Sequence, residues 1–158
     1  MSLDDLYQQV ILDHYKNPRN RGVADEADAL IEMKNPSCGD TIRLSLAVDD
    51  QGRIRAVRFL GDGCSISQAS ASIMTEVTEG LSVAEAHQLA GQVKAMLRGE
   101  GEVPESAGDM AALVGVRKFP SRVKCATLAW NALEKALQES TVRGGQAGDA
   151  GDAGSTDS

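Results

Sequence analysis

The sequence has no excess of positive charge with which to hold a phosphate backbone: 16 Lys and Arg stand against 23 Asp and Glu, a formal net charge of −7. A general grip on nucleic acid needs a basic face that displaces counterions, so no nucleic-acid partner is expected and a protein partner is. Nor is there an apolar run near the roughly 20 residues that a membrane-crossing helix requires. The opening Met1-Ser2-Leu3-Asp4-Asp5 lacks both the basic and the apolar region of a secretion signal, and the expected compartment is the cytoplasm, where thiols stay reduced. No internal repeat is present. Cysteine is scarce, at three residues in 158, and its count is odd. A disulfide framework would leave one thiol over, which turns attention to metal ligation or reactive-thiol chemistry.

What is there suits one domain with a real core followed by a tail. Apolar residues from Leu3 to Tyr15 recur at three and four, predicting a helix capped by Ser2 and stopped by Asn17-Pro18. His14 lies on that stripe, where a lone histidine is expected to be a hydrogen-bonded packing residue. Three alternating segments follow. Ala29, Ile31 and Met33 mark the first strand; Ile42, Leu44, Leu46 and Val48 the second, with its other face open; Arg53 to Leu60 the third, behind an Asp49-Asp50-Gln51-Gly52 turn. Ile54 is out of phase with Val57 and Phe59, which calls for a bulge near Ala56.

A helix opens after Cys64-Ser65, with small residues Ala69 to Ser72 that permit close approach of another backbone. Ser82-Val83-Ala84-Glu85 is a capping box for a second helix, in which His87 sits off the apolar stripe. Glu100 to Gly108 reads as an acidic loop before a short helix capped by Asp109, and Phe119-Pro120-Ser121 starts the last helix. Past Ser140 the chain is Gly, Ala, Asp and Ser with almost nothing to bury, so residues 141–158 are expected to be a disordered tail behind a domain of 1–140. The pattern predicts an α+β fold, a three-stranded antiparallel sheet with helices packed mainly on one face.

The three thiols share a setting. Cys38 follows Asn35-Pro36-Ser37 and precedes Gly39-Asp40, so a thiol and a carboxylate stand two residues apart on a turn shaped by Pro and Gly. Read blandly, the same hexapeptide is turn punctuation around a small loop residue. Cys64 lies where a strand ends and a helix begins, and Cys125 in the first turns of the last helix, where the helix's positive end favours anions; Arg122 and Lys124 add charge there. None of the three occupies an expected core position. Three thiolates with one aspartate would make a tetrahedral site, with zinc–sulfur distances of about 2.3 Å, and the soft donors also suit copper(I) or iron–sulfur chemistry. Spacing alone decides nothing further, since no Cys-x-x-Cys pair is present.

Asp13-His14-Tyr15-Lys16-Asn17-Pro18-Arg19-Asn20, Asn35 to Asp40, Gly61-Asp62-Gly63-Cys64-Ser65-Ile66-Ser67 and Arg122-Val123-Lys124-Cys125-Ala126-Thr127-Leu128-Ala129-Trp130 resemble the signature segments of the IscU/NifU-like superfamily and, more narrowly, of the SufU proteins. The likeness runs from about Leu3 to about Glu139. Lys124 stands where IscU-type scaffolds carry a His, and the segment from about Gly99 to Ser121 is longer than theirs. The resemblance implies Zn²⁺ on Cys38, Asp40, Cys64 and Cys125, with Arg122 able to orient a ligand. It also implies a sulfur carrier that is no free-standing enzyme: Cys38 takes sulfane sulfur from a SufS-type cysteine desulfurase, a His of which replaces it on the zinc, and the sulfur moves on to a SufBCD-type scaffold. The alternative is a scaffold that builds a [2Fe–2S] cluster, or holds iron, on the same residues.

Overall fold

The computed structural model describes residues 3–36 and 39–145, with side chains for 5–36 and 39–140. Helix α1 (Leu3–Lys16) leads into strands β1 (Ala29–Asn35), β2 (Asp40–Val48) and β3 (Ile54–Asp62), which form an antiparallel sheet in the order β1-β2-β3. Helices α2 (Ser65–Thr78) and α3 (Val83–Leu97), a 3-10 segment (Glu105–Lys118) and helix α4 (Pro120–Gly145) complete the described chain. The α+β expectation holds. Among the described residues no helix is long and apolar enough to cross a membrane.

The inner face of the sheet follows from alternation: Ile31, Ile42, Leu44, Leu46, Ile54, Val57 and Phe59 are buried with α2, α3 and α4 in one apolar cluster. The bulge is where the phase break requires it. Val48 faces Ile54 and Ala47 faces Ala56, so Arg55 is the extra residue of β3. Asp49 shapes the preceding turn by accepting the backbone N–H of Gln51 at 2.9 Å and of Arg53 at 3.0 Å.

The expectation that the outer face of β2 is open is corrected. Ser45 and Ala47 are buried, because the link after α1 folds over them: the Ala24 N–H donates to Ser45 Oγ, Gly22 and Asn20 exchange backbone bonds with Phe59, and Ala24, Ala47 and Ala56 form a second small cluster. Helix α1 is rotated from its expected face, leaving Leu6 and Tyr15 about half exposed. The 3-10 segment is two helices that meet at a kink at Gly108: the first starts after Pro104, the second follows the kink and carries Leu113 and Val116 as expected, and the Asp109 carboxylate at its start goes to His14. Helix α4 continues past Ser140 to Gly145. The rest of the tail and the Ser2 cap lie outside the described residues.

Helix α2 is the centre of the domain, with every residue from Ser67 to Thr75 buried. Its small residues allow α4 to approach, and Ser70 makes the joint: its hydroxyl donates to the Ala126 carbonyl at 2.7 Å and accepts the Trp130 indole N–H at 3.2 Å. Trp130 is fully buried. That joint sets the start of α4, and with it Cys125, against the start of α2.

Candidate metal centre

Asp40 opens β2 opposite Asn35, the last residue of β1, so the sheet itself places the carboxylate at the mouth of the β1–β2 loop. Gly39, at φ 73°, closes the loop by donating its N–H to the Asn35 carbonyl at 2.9 Å. Cys64 is the N-cap of α2, and its sulfur accepts the Ser67 N–H at 3.5 Å. The Cys64 N–H donates to Asp40 Oδ1 at 2.9 Å, and Cys64 Sγ stands 3.7 Å from Asp40 Oδ2. Cys125 comes from the second turn of α4.

One ligand atom each from Asp40, Cys64 and Cys125 lies within 4.8 Å of the others. Asp40 is wholly buried, Cys125 nearly so, and Cys64 half-buried. Cys125 is thus more enclosed than its position off the apolar stripe suggests, yet it stands outside the main apolar cluster. Three groups able to carry negative charge, drawn from three elements and taken out of water together, are costly unless protonated or neutralised by a cation. The donor set of two sulfurs and one oxygen fits zinc or a similarly soft ion.

Cys38, the expected fourth donor, lies with Ser37 outside the described residues. The described ends of its loop, Pro36 and Gly39, flank the mouth where Asp40 sits. Arg122 is exposed one turn before Cys125, and its guanidinium has no hydrogen bond or ion pair among the described residues. Lys124 is exposed on the rim of a hollow of about 440 Å³ lined also by Lys94, Arg98 and Arg117 and by none of the three donors. A second hollow, of about 360 Å³, is lined by Tyr15, Arg21, Gly61, Gly63 and Gln68.

His14 is the packing residue its place on α1 predicts, fully buried between Ser72 Oγ at 2.8 Å and Asp109 Oδ2 at 2.9 Å. Glu76 and Asp109 gather round its Nε2, but Arg19 already supplies a cation to that cluster through Glu76. His87 is exposed, as expected. What sequence reading overlooked is Gly63, which looked like the end of a strand. The signal was a glycine immediately before a cysteine at a helix start, the point of closest backbone approach to the donors.

A family model described as the NifU-like N terminal domain matches residues 6–146. The chain is 48% identical over 138 residues to the zinc-dependent sulfurtransferase SufU of Bacillus subtilis, covering 86% of this chain and 92% of that protein. It is 42% identical over 139 residues to the iron–sulfur cluster assembly scaffold protein IscU of Streptococcus pyogenes, covering 87% and 86%. Among solved structures, a putative iron–sulfur cluster assembly scaffold for the SUF system from Fervidobacterium islandicum superposes with a TM-score of 0.77 at 35% identity, covering 86% of this chain and 99% of that one. A NifU-like N-terminal protein from Brucella abortus gives 0.81 at 25% identity, covering 89% and 98%.

Proposed function

This chain belongs to the NifU-like N-terminal domain family of iron–sulfur cluster assembly proteins, and we propose that within it the chain is a zinc-dependent sulfur acceptor and carrier loaded by a SufS-type cysteine desulfurase. The observation that carries this reading is the meeting of Asp40, Cys64 and Cys125 from three separate elements within 4.8 Å. The zinc-dependent sulfurtransferase name of the Bacillus subtilis relative supports the choice of ion and of chemistry. Cys38 completes the set as fourth donor and as acceptor, and Arg122 orients the site from its rim.

Bound zinc would hold the cysteines as thiolates at neutral pH. In the transfer, the Cys38 thiolate attacks the outer sulfur of the desulfurase persulfide. A sulfur–sulfur bond forms on Cys38, the persulfide bond of the donor breaks, and the donor cysteine leaves as its thiolate, so no external oxidant or reductant is needed. Support for a reachable site comes from Cys64, which is only half-buried beside Asp40. The sulfur then passes to a SufBCD-type scaffold, in the cytoplasm, where the thiols stay reduced.

The test is intact-mass analysis after incubation with a cysteine desulfurase and cysteine, with peptide mapping and zinc analysis of the same sample. Added sulfur on Cys38 of a zinc-loaded chain is expected; an unlabelled Cys38 rejects the reading. The 42% identity to a scaffold named IscU supports one rival, assembly of a [2Fe–2S] cluster on the same residues. Visible absorption of the purified protein separates the two, because a zinc site is colourless.

A further inference from the structure

Gly63 sits where the turn from β3 into α2 passes directly against the Asp40 carboxylate. Its φ is 147°, a conformation that side chains rarely adopt, and a Cβ there would fall 2.1 Å from Asp40 Oδ1, 2.8 Å from its Cγ and 2.9 Å from Ser67 Oγ. The next residue supplies the Cys64 N–H that donates to that same Oδ1 at 2.9 Å. Asp40 is fully buried, so its carboxylate cannot yield to a Cβ by turning out into solvent.

From this geometry we infer that Gly63 is a positioning residue for the metal site: its missing side chain lets the Cys64 amide take Oδ1, and this makes Asp40 a one-oxygen donor through Oδ2. The inference rests on the reading that Asp40, Cys64 and Cys125 hold a metal. A carboxylate free at both oxygens can chelate an ion through both and claim two coordination places. Tying one oxygen to a backbone N–H removes that option and fixes the direction of the other. Oδ2 then lies 3.7 Å from Cys64 Sγ. Bonds of about 2.0 Å to oxygen and 2.3 Å to sulfur at a tetrahedral angle separate two donors by about 3.5 Å, so the observed pair needs almost no rearrangement to share an ion.

Zinc affinity is measured by competition with a chromophoric chelator on the full chain, in the wild type, Gly63→Ala, Asp40→Ala and the double variant, with cobalt(II) absorption as a report on coordination. Gly63→Ala is expected to weaken zinc about 10- to 100-fold, in the range for changes behind a ligand, and to alter the cobalt spectrum. In the Asp40→Ala background it should change zinc affinity little, because the group it acts through is gone, although backbone strain lowers the urea midpoint in both backgrounds. Wild-type zinc affinity in Gly63→Ala, or the same loss in both backgrounds, overturns the inference.

Asp40→Asn tests it without touching Gly63. The Asn keeps an oxygen for the Cys64 N–H and puts an NH₂ where Oδ2 was, so near-normal stability with a zinc loss close to that of Asp40→Ala is expected. Undiminished zinc in Asp40→Asn overturns the one-oxygen assignment. Zinc retained when both Cys64 and Cys125 are changed to Ser would sink the site reading itself, and this inference with it.

Discussion

His14 and Asp109, 95 residues apart, meet in a 2.9 Å hydrogen bond between Nε2 and Oδ2 that ties the first helix to the 3-10 segment. Ser72 holds the other side of the ring: its hydroxyl oxygen accepts the Arg19 N–H at 2.9 Å and stands 2.8 Å from His14 Nδ1, so the imidazole is held at both nitrogens. The kink at Gly108, at φ 56°, brings Asp109 into place. The 3-10 segment ahead of α4 is therefore clipped to α1 and α2 through one buried imidazole.

Removing the clip is expected to cost stability and leave the metal site alone. Asp109 is about half exposed, so Asp109→Ala should cost only about 1 kcal/mol. His14→Ala opens a cavity and removes the buried hydrogen bond to Ser72, for about 2–4 kcal/mol. Urea midpoints check both, and zinc content should match the wild type; loss of zinc in Asp109→Ala would contradict the separation of the two clusters.

Changing Cys38 to Ala is expected to leave the fold intact while abolishing sulfur labelling of this chain and its stimulation of the desulfurase. Desulfurase turnover with the variant decides this, and undiminished stimulation ends the acceptor role of Cys38.

Asp40→Ala is expected to retain zinc on the cysteines with at least about tenfold weaker affinity, since a buried ligand and the partner of the Cys64 amide are lost together. Its sulfur-transfer rate should change as well. Zinc analysis and single-turnover transfer check both, and wild-type values in each would remove Asp40 from the site.

The β2–β3 turn should loosen in acid. The backbone N–H of Arg53, and then that of Gln51, hold the Asp49 carboxyl below the usual carboxylate range. A lowered folded value means that the stabilisation is complete above the unfolded value of about 3.9 and is lost as pH falls through the folded one. Stability measured from pH 6 down to 2 should therefore fall less steeply below about pH 4 in Asp49→Ala than in the wild type; identical slopes would argue against the turn as a contributor.

Much of this molecule was legible along the chain. Alternation at period two is set by the strand backbone itself, so β1 and the inner face of β2 could be read directly, and the phase break between Ile54 and Val57 demanded the extra residue found at Arg55. The capping box at Ser82 and Glu85 is a local hydrogen-bond pattern, formed as expected. Asp40 and Cys64 were legible for a similar reason, as each stands at the end of an element where backbone geometry turns.

What residue order by itself determined is therefore whatever depends on neighbours a few positions away: strand phase, caps, turns and the chemical types of the donors. Tertiary structure decided what depends on distant partners. It covered Ser45 and Ala47 with the link after α1, sent the Asp109 carboxylate to His14, buried Cys125 through the Ser70 joint, and set Gly63 against Asp40. Each of these is a contact between segments far apart in the chain, and such contacts arise from packing, which no local period encodes.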